Sequence, residues 1–461
     1  MSFDPTLADI RFGCGLSPNI APADNVESIL AGLQANDRMS VRFPIEEFPE
    51  FRKRMVERES VAKQLRKLRG TEEGKALTKQ MRVLNKTARV DHFGWMAMHL
   101  LRRTHSKTPF VERLEGFWAD HFTAAGKAGI LRRAVSPYVQ SAIRPNMTGQ
   151  FGDLLVAAVT HPLMVHYLDQ NRSAGPNSVN GKRKPGKFGL IENLAREILE
   201  LHTLGVDGPY TQGDVVELAK LLTGLTMQAK QGRHFQKNLA EPGPETVLGK
   251  SYGGDNPHIR DIEAVLHDLA AHPSTARHMA RKLAIHFVSD RPDPDLIAAI
   301  ERAWRDSNGH LTEAYRAMLM HPSSWGAERP NVKRPFDFVS SAARALAVHP
   351  RSIQTLDEKE LKQRLFEPMR LMGHIWQKPS GPDGLEEADS AWITPQSIAA
   401  RLQWSVIVPR LLVPRLPDPR VFVETALGPH VTETVRFAAG AAESRADGIG
   451  LVLISPAFQR M

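Results

Sequence analysis

Three polar side chains recur along one stretch at the spacing of a helix face. In residues 190–205, read LIENLAREILELHTLG, Asn193, Glu197 and Glu200 stand at i, i+4 and i+7. A helix turning ~100° per residue puts them on one side. Paired carboxylates beside an amide can hold a divalent cation, or can divide into a general acid and a general base. The same pattern also suits a solvated face. Glu192 and Arg196 lie next to them at ion-pair spacing. A second cluster, Asp120 and His121, falls at an expected helix end within the run Trp118-Ala-Asp-His-Phe-Thr123. Neutral imidazole is both a metal ligand and a proton carrier near pH 7, although it also serves as a cap or a core residue. The residues expected to do chemistry are therefore Asp120, His121, Glu197 and Glu200. Asp169, Glu192, Asn193 and Arg196 are expected to surround a substrate; the residues name no cofactor, a divalent metal being one that such a site could hold. The reactions these residues permit are acid–base or metal-assisted hydrolysis or rearrangement; the alternative is a non-catalytic partner or scaffold of a hydrolase, with the polar face as a buried structural network.

These residues need elements to position them. Ile191, Leu194, Ala195, Ile198 and His202 form the opposite, mostly apolar face, and Gly205 supplies a left-handed C-terminal stop. Buried charges are costly when unpaired, so the polar face of a central helix is expected to meet a cleft, with His121 or Asp169 near. Residues 171–189 read as a basic, Gly- and Pro-bearing loop that is mobile and can close over that cleft. Its Gly181 to Lys187 spacing resembles a phosphate loop, but Phe188 replaces the required Ser or Thr and Pro185 removes an N–H. Residues 379–395 read either as a surface excursion or as a lid carrying Asp383 and Trp392. His161-Pro162, His272-Pro273, His321-Pro322 and Ser455-Pro456 punctuate apolar helices. Proline is accepted at the first helical position, so these histidines read first as junction residues.

Alternating β-branched runs are nearly absent, so the fold class expected is mainly α: a multi-helix globular array with a projecting basic helical hairpin. The chain of 461 residues is 42% hydrophobic, enough for a buried core. It reads as one domain over 1–461, or as two helical halves, 1–258 and 259–461. The single cysteine excludes an internal disulfide framework and a multi-cysteine zinc site. The net charge of +9 is concentrated in residues 51–90. That segment reads as a solvated helical hairpin or as a surface for an anionic polymer, without the aromatics that stack on bases. No apolar run approaches the ~18 residues of a membrane span, and the first residues lack a signal-peptide pattern, so a cytoplasmic location is expected.

Several stretches resemble the domain-of-unknown-function 1800 family of bacteria. They are Phe117-Trp-Ala-Asp-His-Phe-Thr123, Tyr167-Leu-Asp169, residues 192–205, Tyr210-Thr-Gln-Gly-Asp-Val215, Leu222-Thr-Gly224, Val247-Leu-Gly249, Arg281-Lys-Leu-Ala-Ile-His-Phe-Val288 and Ser455-Pro-Ala-Phe-Gln-Arg460. The resemblance implies a helical fold and supplies no activity. Ile191, Ala240 and Leu385 depart from the pattern, which implies weak or absent metal binding if those positions build a metal site in relatives. It also implies a partner from the domain-of-unknown-function 1501 family, similar to alkaline phosphatases and sulfatases, and with it export alongside that partner.

Overall fold

The computed structural model describes residues 3–183 and 189–461. The architecture is mainly α, a globular array of many helices. Among the described residues the paired strands are two short antiparallel hairpins, where at most one was expected. β1 (Leu225–Gln228) pairs β2 (Gly232–Phe235), and β3 (Gly243–Val247) pairs β4 (Lys250–Gly254). Leu248 and Gly249 join the second hairpin with φ of 50° and 78°, the left-handed pair that a two-residue turn requires.

Two helices organise the hydrophobic interior. α1 (Phe48–Lys67) buries Phe48, Phe51, Met55 and Val61. It turns at Gly70, and Thr71 caps α2 (Glu72–His105) by accepting from the Gly74 N–H. The outer parts of both helices bury little, and between Gly74 and Ala88 no residue of α2 is buried. Beyond His92 α2 is nearly all buried and runs between two hydrophobic cores. One contains its Ala88 and Trp95 and gathers apolar side chains from Leu7 to Trp325. The other contains its Phe93, Met96, Ala97, Leu100 and Leu101 and gathers Phe336 to Phe458. Apart from Phe43 and the α2 residues, the second core draws on the chain from Phe336 onward, and the first on the chain up to Trp325.

The histidine–proline junctions are helix caps. The Nδ1 atoms of His161, His272 and His321 accept from the N–H two residues on, at 3.1, 3.1 and 3.3 Å. His349 before Pro350 does the same at 3.2 Å. The proline occupies the first helical position, where no N–H is needed. No helix among the described residues is long and apolar enough to cross a membrane.

The expected loop at 171–189 is anchored where it is described. Ser173, Ala174, Gly175 and Ser178 are buried. The Glu241 carboxylate accepts from the N–H and side-chain amide of Asn177 at 2.8 and 2.6 Å. A short helix follows at Val179–Arg183. The expected mobility and the phosphate-loop spacing fall largely on residues 184–188, which lie outside the described residues.

Candidate functional site

The central stretch is not one α-helix. α3 (Pro109–His121) precedes it in the chain, and α4 (Asn193–Glu197) is a single α-helical turn that runs into a π-helical turn at Ile198–His202. The Thr203 hydroxyl donates to the Ile198 carbonyl at 2.6 Å, a local bond that competes with the regular ladder. Leu194, Ala195, Ile198 and His202 are buried as expected, and Leu199 joins them.

The polar face does not gather into one cleft. Asn193 is exposed. Arg196 pairs with Glu192 at 3.1 Å and Glu200 at 3.3 Å, and donates to Gln212 at 2.9 Å, a ladder open to solvent. Glu197 is half-buried and titrates at about 6: burial, then the carboxylates of Glu200 and Asp383, disfavour its charge. Asp169 adopts a left-handed backbone, φ 59°, and pairs with Lys127 at 2.7 Å. His121 is packed among Phe117, Trp118, Phe122 and His202. Its Nε2 lies 3.4 Å from the His202 carbonyl. Burial holds its pKa well below the usual histidine range. Among the described residues no three His, Cys, Asp or Glu side chains are grouped as a metal site needs.

Of the expected catalytic residues, Asp120 lines a cavity that sequence reasoning missed. Its volume is about 120 Å³, and it lies where α2 and α3 meet α5 (Pro273–Phe287), α6 (Pro335–Ala345) and the 374–385 loop. α3 begins at Pro109 and buries Phe110, Leu114, Phe117 and Trp118, the i, i+4, i+7, i+8 stripe of an amphipathic helix. That registry turns Arg113, Glu115, Gly116 and Asp120 toward the cavity. A Cβ at Gly116 would stand 2.4 Å from the Arg103 guanidinium, so glycine here makes room for that side chain. Gly384 approaches Asp120 similarly, with φ +89°.

The charges in the wall are paired, as burial demands. Asp337 receives Arg113 at 2.9 Å and also Arg103. Arg334 pairs with Asp120 at 2.7 Å and Glu387 at 2.8 Å, while Asp120 also accepts the Leu385 N–H at 2.9 Å. Burial opposes the charge on Glu387, but Arg334 and His286 outweigh it and hold the carboxyl ionised. Glu115 accepts from His99 Nδ1 at 2.9 Å and from Arg144 at 2.6 Å. Burial is again outweighed, by Arg144, then His99 and Arg102, so Glu115 stays ionised.

Apart from guanidinium nitrogens of Arg113 and Arg334, four polar atoms of the lining residues have no hydrogen-bond partner among the described residues. They are His99 Nε2, His374 Nδ1, Trp376 Nε1 and Gln377 Oε1. His99 and His374 are each 6% exposed and Trp376 is 8% exposed. Burial lowers the His374 pKa to about 4, so this ring is neutral. Phe117, Phe336 and Trp376 supply the aromatic surface. A clue did exist in the sequence: His99, Arg103, Arg113 and Glu115 interrupt helices that are otherwise apolar on those faces.

A family model described as "Protein of unknown function (DUF1800)" matches residues 11–460. No curated protein and no solved structure matches the chain significantly.

Proposed function

Because the chain belongs to the DUF1800 family, whose description names no activity, we propose its function from the site alone: it is an enzyme that binds a small molecule in the α2–α3–α6 cavity and acts on it by acid–base chemistry. The observation that carries this is that four unpartnered polar atoms belong to residues lining one aromatic-walled cavity. A buried polar group without a partner costs ~1–3 kcal/mol, and few convergent polar groups in an apolar pocket are the usual mark of a ligand site. Histidine, carboxylate and guanidinium side chains supply the proton-handling groups. In this reading Asp120 is a wall residue fixed by Arg334. His121 supports the core, and the Glu192–Arg196–Glu200 ladder stabilises the surface. Glu197 remains the expected catalytic carboxylate with a perturbed environment, outside this cavity.

The test is calorimetric titration with phenol, a single ring with one hydroxyl, against the intact protein and the Trp376→Ala variant. The wild type binds one equivalent, and the variant, which lacks the ring and its donor, binds at least about tenfold more weakly. No binding to the wild type, or equal binding to a folded Trp376→Ala protein, contradicts the proposal.

A further inference from the structure

The cavity wall holds two histidine–carboxylate pairs, and they differ at one atom. His286 Nδ1 lies 3.1 and 3.2 Å from the Glu387 oxygens, and its Nε2 faces Arg113 Nη2 at 3.5 Å. Both of its nitrogens are therefore engaged. His99 Nδ1 lies 2.9 Å from Glu115 Oε1, but its Nε2 meets no protein atom that bonds to it among the described residues. Glu115 is an ionised carboxylate and can only accept. The proton on His99 must then sit on Nδ1, and a neutral ring leaves Nε2 a bare lone pair. Arg144 and Arg102 flank Glu115 on the side away from the cavity and keep its charge in place. The indole of Trp376 stands against the imidazole, with centroids 5.4 Å apart and planes at 60°.

We propose that His99 Nε2 is the specificity-determining acceptor of this cavity, and that it selects molecules carrying an O–H or N–H donor. The proposal rests on the ligand-binding reading of the cavity. In the wall Arg103 and Arg113 pair with Asp337, and Arg334 pairs with Asp120 and Glu387. Trp376 and Phe336 pack on each other with centroids 4.5 Å apart and form one aromatic side of the cavity. The donor requirement follows from the fixed tautomer, since a second acceptor opposite Nε2 would leave two lone pairs facing each other. The Trp376 indole N–H and the Gln377 carbonyl complete the site as one donor and one acceptor.

Two measurements test this on the full chain. In the first, phenol and its methyl ether anisole are titrated into the wild type and into His99→Phe. The wild type favours phenol by about tenfold or more, as expected when a buried acceptor is left unpaired, and His99→Phe abolishes that preference. Equal affinities in the wild type, or an unchanged preference in folded His99→Phe, overturn the inference while leaving the ligand-binding reading intact. Failure of both compounds to bind removes the reading on which it rests, and the inference with it. The second measurement needs no variant that must fold well. Long-range nitrogen-15 NMR of uniformly labelled wild type should show His99 as the neutral Nδ1–H tautomer at about pH 7. A protonated Nε2 overturns the assignment directly.

Discussion

At the scale of single residues, burial decides which polar groups are positioned and which are merely exposed. His99 and Glu115 lie one helix apart with their polar atoms withdrawn from water, whereas Asn193 and Arg196 sit in the solvent-facing ladder. The sequence could place Asn193, Glu197 and Glu200 on one face, because helical spacing is local. It could not say that His121 packs against His202, because that residue comes from a separate element. Glu197 carries a testable consequence. Its folded pKa, about 6, lies above an ordinary glutamate because of burial and then Glu200 and Asp383. The folded state prefers the protonated form, so this group's contribution is fully present below its unfolded pKa and is lost as pH rises through about 6. Glu197→Gln, which stays uncharged, should therefore stabilise the protein at about pH 8 and change little at about pH 4. A pKa unit corresponds to ~1.4 kcal/mol, and partial solvent screening reduces the gain to the order of 1 kcal/mol. Thermal melts at both pH values check it, and a destabilised variant at about pH 8 would mean that the carboxylate has an attractive partner.

At the scale of elements, helices were the legible part. The spacing predicts helices over 260–271, 274–288 and 311–320, and the structure has them at Ile259–Ala271, Pro273–Phe287 and Leu311–Met320. Apolar periodicity and a proline or polar cap mark such ends locally. The hairpins were less visible because each strand is only four or five residues and carries little alternation. The π-helical turn at Ile198–His202 was invisible, since one inserted residue per turn leaves no composition signal. The α1–α2 hairpin shows how local charge reads through to surface. Lys63, Arg66, Lys67, Arg69, Lys79 and Arg82 are exposed. None of them is among the ion pairs that the neighbouring Lys53, Lys75 and Arg89 make. If this surface holds an anionic polymer, retention on heparin should fall steeply with salt, as counterion release requires. No retention at low salt, or retention insensitive to salt, would show that these cations serve hydration alone.

At the scale of the whole molecule, the candidate site lies on the seam between the two cores. α2 packs into both cores, and its His99 and Arg103 face the gap where α3 from one meets α6 from the other. Asp337 of α6 ties Arg103 and Arg113 across that seam. Such a site draws on residues 99, 115, 334 and 374–377, whose separations in the chain follow no period, so no pattern in the sequence could assemble them. Cavities at such junctions are common places for ligands, because two packed cores leave a shaped gap whose walls both hold fixed. The most direct measurement is a high-resolution crystal structure of the full chain soaked with phenol. The ring should lie against Trp376 with its oxygen ~2.7–3.2 Å from His99 Nε2, within hydrogen-bonding distance. If ordered water alone satisfies His99, His374, Trp376 and Gln377 while phenol is absent from the cavity or bound elsewhere, the cavity is a hydrated structural gap and the account is wrong.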